Sequence, residues 1–404
     1  MKLISFMMVP LLCVALWMAS PASADDEQHT RAGIDVLVRD GFDVFANQRV
    51  GLITNHTGLT REGRPTVKVL HDSKQVDLVL LFSPEHGIAG KLDQSDIAHG
   101  RDPETGLPVY SLYGQTRRPT AEMLAGVDTL VFDIQDIGTR FYTYISTMGE
   151  AMTAAAEHGK KLVVLDRPNP LDGVQVAGPM LDDGKESFVG WHQLPVRHGM
   201  TIGELARMIK AERELDLDLQ IVSCENWQRE KAWAQTGLTW VNPSPNMRSV
   251  TQALLYPGVG LLETTNVSVG RGTDTPFEVI GAPWIDQGEL AGALNKLRLP
   301  GVAFVPIRFT PDASTHKDQD CGGVNIVVTD HAVFEPVATG LAIASTLRTL
   351  HPDDWQRERY IRLLGNDRVM RQLDGGAGWA ELVESAERGV ADFKQRRAQY
   401  LLYE

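Results

Sequence analysis

Apolar residues in the first half of the chain gather into short continuous runs, and each run ends abruptly on polar side chains. "RVGLITNHTG" ends on Asn55, His56 and Thr57, and "VDLVLLFSPEHG" ends on Glu85 and His86. "VDTLVFDIQDIGTRFYTY" passes through Asp133 and Asp136 to Arg140 and Tyr142, and "KKLVVLDRPNPLDG" ends on Asp166, Arg167 and Asn169. Helix-like stretches such as "TVKVLHDSK" and "TMGEAMTAAAEHGK" separate them. Near-continuous apolar strands alternating with helices predict a parallel sheet covered on both faces. Ligands of open α/β sheets bind beyond the carboxyl ends of the strands, so four polar strand ends define one expected crevice. Each end taken alone also reads as a capped turn, because Asn and Asp favour turns.

The pattern changes near residue 190. "PVRHGMTIGELARMIKAE" predicts a helix opened by a capping box, Thr201 with Glu204, and carrying Ile202, Leu205 and Ile209 on one face. His198 before it is open to either a loop or a pocket role. "LQIVSCENW" reads as a strand. In "NPSPNMRSV" two prolines exclude regular structure and leave Asn242, Asn246 and Arg248 on an ordered loop. The densest polar stretch, "LYPGVGLLETTNVSVGRGTDTPFEVIGAPWI", brings Glu263, Arg271, Thr273 and Asp274 together with several glycines, which predicts an ordered binding loop. Beyond it, "VAFVPIRFTPD" and "CGGVNIVVTD" read as strands, and "PVATGLAIASTLRTLH" and "DDWQRERYIRLLG" as helices. "WAELVESAERGVADFKQRRAQYLLYE" reads as one amphipathic helix with a solvated charged face. The predicted organisation is a parallel-sheet domain over 25–190 and a second α/β domain over 191–404.

Composition narrows the chemistry. The 404 residues are 43% hydrophobic and 23% charged, as in a globular protein with a substantial core. A net charge of -13 argues against a nucleic-acid or anionic-membrane partner. No G-x-G-x-x-G or Walker-type motif occurs, so the sheet implies neither a dinucleotide nor ATP. Residues 1–24 read as a cleavable signal peptide: Lys2, an apolar core, and "PASA" ending at Ala24 before acidic "DDE". That predicts a secreted or periplasmic protein with no membrane anchor after cleavage. Cys13 leaves with the leader, and Cys224 and Cys321 remain available to pair in an oxidising compartment.

"GLITNHTG", "LFSPEHG", "DIQDIGTRFYTY", "DRPNPLDG", "LPVRHGMTIGELA", "NPSPNMRS" and "YPGVGLLETTNVSVGRGTDTPFE" occur in this order along the chain. Together they resemble the NamZ-type exo-β-N-acetylmuramidases. The resemblance implies a Rossmann-like N-terminal domain and a smaller C-terminal α/β domain, with the active site in the cleft between them. It implies release of N-acetylmuramic acid from the non-reducing end of peptidoglycan fragments, with no cofactor. It also places the family's catalytic glutamate at Glu85, in the matching "PEHG" motif.

A glycosidase needs a carboxylic acid at the leaving oxygen and a second carboxylate as base or nucleophile. Glu85, after an apolar strand and Pro84, fits the acid. Glu263, Asp133, Asp136 and Asp274 are candidates for the second group, with Glu263 ranked first. His86 or His56 is available as an acid/base or to orient Glu85. The lactyl carboxylate of muramic acid calls for a bidentate arginine. Arg271 and Arg140 are the preferred pair, with Arg167 and Arg248 also available. Asn55, Asn169, Asn246 and Thr273 are further expected substrate contacts, and Tyr142, Tyr144 and Trp240 are available to pack on the sugar face. Two other readings stand beside this one: a metal-dependent hydrolase built from His56, Glu85, His86 and Asp133, and a non-catalytic sugar-binding module.

Overall fold

A computed structural model describes residues 29–93 and 97–404; the expected leader lies outside them. The polar-ended runs form strands. β1 (Arg49–Thr54), β2 (Asp77–Ser83), β3 (Gly100–Arg101), β4 (Pro108–Ser111), β5 (Thr129–Asp133) and β6 (Lys161–Leu165) belong to one sheet. β7 (Ala177–Met180) and β8 (Pro195–Arg197) pair as a separate antiparallel ribbon, and β9 (Leu219–Val222) returns to the first sheet. The seven-stranded order is β3-β4-β2-β1-β5-β6-β9, parallel throughout except for β3 against β4. The sheet therefore runs past the expected boundary at residue 190. Four-residue β9 lies at its edge with mixed burial, so it lacks the long apolar signature of the central strands.

Both faces of the central strands are buried, which is why the runs look continuous rather than alternating. Val131, Val163 and Leu165 face one core beneath the helix Gly33–Arg39. Phe132, Leu162 and Val164 face the other, beneath the helices Tyr144–Glu157 and Ile202–Glu212. The latter helix starts at the predicted capping box, with Thr201 Oγ1 accepting from Glu204 N–H.

This second core continues without a break into the C-terminal region. There β10 (Val279–Ala282), β11 (Val302–Phe309) and β12 (Cys321–Val328) form an antiparallel sheet in the order β10-β12-β11. The glycine-rich stretch expected as a loop begins instead as the helix Val250–Val259, and only its later part is irregular. That helix crosses the helix Pro336–Leu350 at a point where two glycines let the backbones meet. A Cβ on Gly340 would lie 2.5 Å from the Gly258 Cα, a backbone clash that rotamer changes cannot relieve. Gly340→Val is expected to cost about 1–3 kcal/mol of stability, read as a lowered thermal midpoint; an unchanged midpoint would contradict this packing.

The C-terminal segment departs from its expected form. It is two helices, Trp379–Ala386 and Val390–Ala398, broken at Gly389 with φ 87°. Its charge run is not wholly solvated: Arg397 is buried and donates to the Gly173, His198 and Gly199 carbonyls. "DDWQRERYIRLLG" yields only the short helix Ile361–Leu364, stopped by Gly365 at φ 63°. Cys224 and Cys321 are both buried free thiols, so they do not pair with each other. Among the described residues, no helix is long and apolar enough to cross a membrane.

Candidate active site

A cavity of about 600 Å³ opens over the carboxyl-terminal side of the sheet. One wall comes from the segments after β2, β4 and β5, including Glu85, His86, Tyr113 and Thr143. The facing wall comes from the C-terminal region, including Glu263, Arg271, Arg359 and Arg362. The sheet order reverses between β1 and β5, the position where such folds usually hold ligands. Here that crevice is filled by the protein itself. Asn55 Nδ2 donates to the Tyr144 hydroxyl at 2.9 Å, and that hydroxyl donates to the Pro243 carbonyl at 2.5 Å. The cavity is displaced towards β2 and its glutamate.

Glu85 follows Pro84 and precedes two residues with left-handed backbone, His86 at φ 71° and Gly87 at φ 74°. A non-glycine residue in that region is uncommon, and the turn carries the chain sharply away after the glutamate. Thr143, the N-cap of the helix Tyr144–Glu157, donates through Oγ1 to Glu85 Oε2 at 2.5 Å. The Tyr113 phenol, which lines the same cavity, is pushed up by burial and then by the Glu85 charge. His86 Nδ1 lies 2.6 Å from the Leu92 carbonyl. A carbonyl only accepts, so Nδ1 carries the proton and Nε2 is the nitrogen left outside that bond.

Glu263 sits at the end of the helix Val250–Val259, in the 3-10 turn Gly260–Thr264. Arg271 Nη1 donates to its Oε1 at 2.8 Å, and the Tyr256 hydroxyl donates to Oε2 at 3.3 Å. Burial raises the Glu263 carboxyl above its usual range; the Arg271 charge opposes the rise, and the charge of Glu85 adds to it. The Glu85 influence places the two carboxylates within electrostatic reach of each other. Beneath them lies an aromatic floor, with Tyr256 5.1 Å from Phe141, 5.9 Å from Tyr142 and 4.8 Å from Phe277 between ring centroids. Such a floor offers an apolar face to a ring.

Arg271 also grips Asp93 through Nη2, at 2.8 and 2.7 Å to its two oxygens, and Asn246 Nδ2 donates to the same carboxylate at 3.1 Å. Burial works against the Asp93 charge, but the Arg271 pair outweighs it and holds the carboxyl below its usual range. Asp93 thus ties the β2 side of the cleft to the opposite wall. Neither Asp93 nor Tyr113 carries a sequence signal, since one follows a glycine-rich turn and the other sits in the unremarkable "SLYG".

Several expected contacts lie elsewhere. Arg140 is buried and donates to four carbonyls, Pro179, Leu194, Leu363 and Leu364, at 2.7 to 3.0 Å. Burial pushes its guanidinium down to about 9, and it does not line the cavity. Asp133 is buried against Arg167, with Nε to Oδ1 at 2.6 Å. Asp136 caps the turn at Gly138 through Oδ2 at 2.8 Å, and burial pushes its carboxyl up to about 7. Asn169 braces a neighbouring turn, accepting from Leu171 N–H at 2.9 Å and donating to the Met200 carbonyl. His56 bonds the Asn242 carbonyl at 2.6 Å and packs on Gly90, behind the Glu85 loop. His198 is buried outside the cavity lining.

Arg248 donates to the Pro245 and Thr273 carbonyls, and Thr273 donates to the Gly270 carbonyl. Asp274 is exposed beyond the cavity rim, and Trp240 packs edge-on against Trp233. Of the residues expected at the site, Glu85, His86, Tyr142, Tyr144, Asn246, Glu263 and Arg271 line one cavity. The four side chains of the metal reading do not converge: His56 and Asp133 are held by other partners.

An α/β protein with paired carboxylates on facing walls of one cleft has the layout of a hydrolase that works by acid/base pairs. The chain matches two family models, "Exo-beta-N-acetylmuramidase NamZ, N-terminal" over residues 50–251 and "Exo-beta-N-acetylmuramidase NamZ, C-terminal" over residues 254–403. It belongs to the NamZ family. A Bacillus subtilis relative, peptidoglycan beta-N-acetylmuramidase NamZ, is 43% identical over 395 residues, which cover 95% of each chain. Two crystal structures of DUF1343 family proteins from Bacteroides fragilis share the fold. One is 38% identical with a TM-score of 0.87, covering 93% of this chain and all of its own; the other is 31% identical with a TM-score of 0.77, covering 93% and 99%. The first family model spans β1 to β9, in keeping with the sheet continuing past residue 190.

Proposed function

We propose that this protein is an exo-acting glycosidase that removes N-acetylmuramic acid from the non-reducing end of peptidoglycan fragments. The observation that carries this reading is the pairing of Glu85 and Glu263 across one cavity in a chain covered by both NamZ models. Glu85, oriented by Thr143, protonates the leaving oxygen. Glu263, raised by its burial with the Arg271 charge opposing the rise, acts as the base on the other side. His86, with its Nδ1 proton fixed on Leu92, borders Glu85 and orients the substrate. Cleavage of a glycosidic bond by two carboxylates requires no cofactor. The apolar leader and "PASA" support action outside the cytoplasm, where such fragments are exposed.

Fragments bearing muramic acid at the non-reducing end should lose one monosaccharide, while fragments ending in N-acetylglucosamine stay intact. Mass analysis of the products reads this directly, and internal cleavage would overturn the exo assignment. A second test concerns Arg271. Its charge pulls the Glu263 carboxyl down, so Arg271→Met lets that carboxyl rise further. A base must be deprotonated, so the acid limb of the kcat/KM profile is expected to move to higher pH. An unmoved acid limb would remove Arg271 and Glu263 from the reaction.

A further inference from the structure

We infer that Arg359 and Arg362 form the subsite that reads the lactyl carboxylate of the substrate. The inference rests on the muramidase reading above and deepens it by assigning the group that separates muramic acid from glucosamine. The other arginines near the cleft are already engaged. Arg140 is surrounded by four carbonyls, Arg167 holds Asp133, Arg248 holds two loop carbonyls, and Arg271 is divided between Glu263 and Asp93. Drawing any of them onto a substrate would strip a partner from a buried or ion-paired group. Arg359 and Arg362 line the same cavity and are exposed. Neither guanidinium has a hydrogen bond or ion pair among the described residues.

The backbone beneath these two side chains is firmly held. Arg362 N–H donates to the Arg359 carbonyl at 3.0 Å, closing a turn that sets the two residues three apart. Tyr360 between them is fully buried and packs edge-on against Trp355 at 5.9 Å. The Arg359 carbonyl accepts from Thr264 Oγ1 at 2.7 Å, and Thr264 directly follows Glu263. The Leu363 and Leu364 carbonyls accept from Arg140. The turn is thus tied to the Glu263 wall on one side and to the sheet on the other, while its two guanidinium groups point to no protein partner. A planar fork of donors held in this way matches a carboxylate bidentately.

Three β-glycosides with one leaving group test this: N-acetylmuramic acid with its free lactyl acid, the lactyl carboxamide, and the lactyl-L-alanine derivative. Wild-type protein is expected to favour the free acid over the carboxamide in kcat/KM by about 10- to 100-fold, the range of a charge-assisted contact. Arg359→Gln combined with Arg362→Gln should abolish that preference, raising KM on the free acid by about 10- to 100-fold and on the carboxamide far less. Lys at both positions should restore part of it. Both side chains are exposed, so the thermal midpoint should stay at the wild-type value. A double variant that keeps the preference, or that loses the acid and the carboxamide equally, overturns the assignment. A loss confined to the alanine derivative also overturns it, because the arginines would then read a peptide carboxylate. Wild-type protein that cleaves none of the three overturns the muramidase reading itself, and the subsite with it.

Discussion

Glu85→Gln is expected to lower kcat on a muramic glycoside by about 10²- to 10⁴-fold, the usual contribution of a positioned general acid, while substrate still binds. The amide retains the shape of the side chain and can still meet the Thr143 hydroxyl, but it has no proton to give to the leaving oxygen. The loss therefore falls on the chemical step rather than on binding. A leaving group that departs without protonation, such as a dinitrophenolate, should recover much of the lost rate. A variant within tenfold of wild type on an unactivated leaving group would remove Glu85 from the acid role.

The second large effect is on stability. Arg140→Met leaves four buried carbonyls without their donor, and each unsatisfied buried acceptor costs about 1–3 kcal/mol. Partial relaxation reduces the sum, so a total loss of about 3 kcal/mol or more is expected from the urea midpoint. Those carbonyls belong to the β7–β8 ribbon region and to the turn that carries Arg359 and Arg362. Loosening that turn should raise KM for the muramic substrate before it affects kcat. A variant of unchanged stability with a selectively raised KM would instead restore Arg140 to direct substrate contact.

These two residues mark how far the sequence could be read. The four central strands were legible because burial on both faces writes an unbroken apolar run, and Glu85 stood out at the end of one. Glu263 emerged from a dense polar stretch, although the start of that stretch is helical and crosses its neighbour through Gly258 and Gly340. The arginines were not separable. A guanidinium held by backbone carbonyls and one facing a cavity look alike in a chain, because the carbonyls that satisfy Arg140 lie as far as 224 residues away. Asn55, Asp136 and Asn169 fell to the competing reading stated at the outset: polar strand ends are also turn caps, and these three bond local backbone or neighbouring side chains. Arg359 and Arg362 gave no signal, since "RERYIRLLG" reads as an ordinary amphipathic helix.

The central claim is that one cleft, with Glu85 and Glu263 on facing walls, hydrolyses β-N-acetylmuramides. The most direct measurement compares alkyl β-glycosides of N-acetylmuramic acid and N-acetylglucosamine, whose leaving groups need protonation, using wild-type protein and Glu85→Gln at equal concentration. The account predicts turnover of the muramic glycoside alone, reduced by at least about 10²-fold in the variant. Cleavage of the glucosaminide with none of the muramide, or undiminished turnover by the variant, would contradict it.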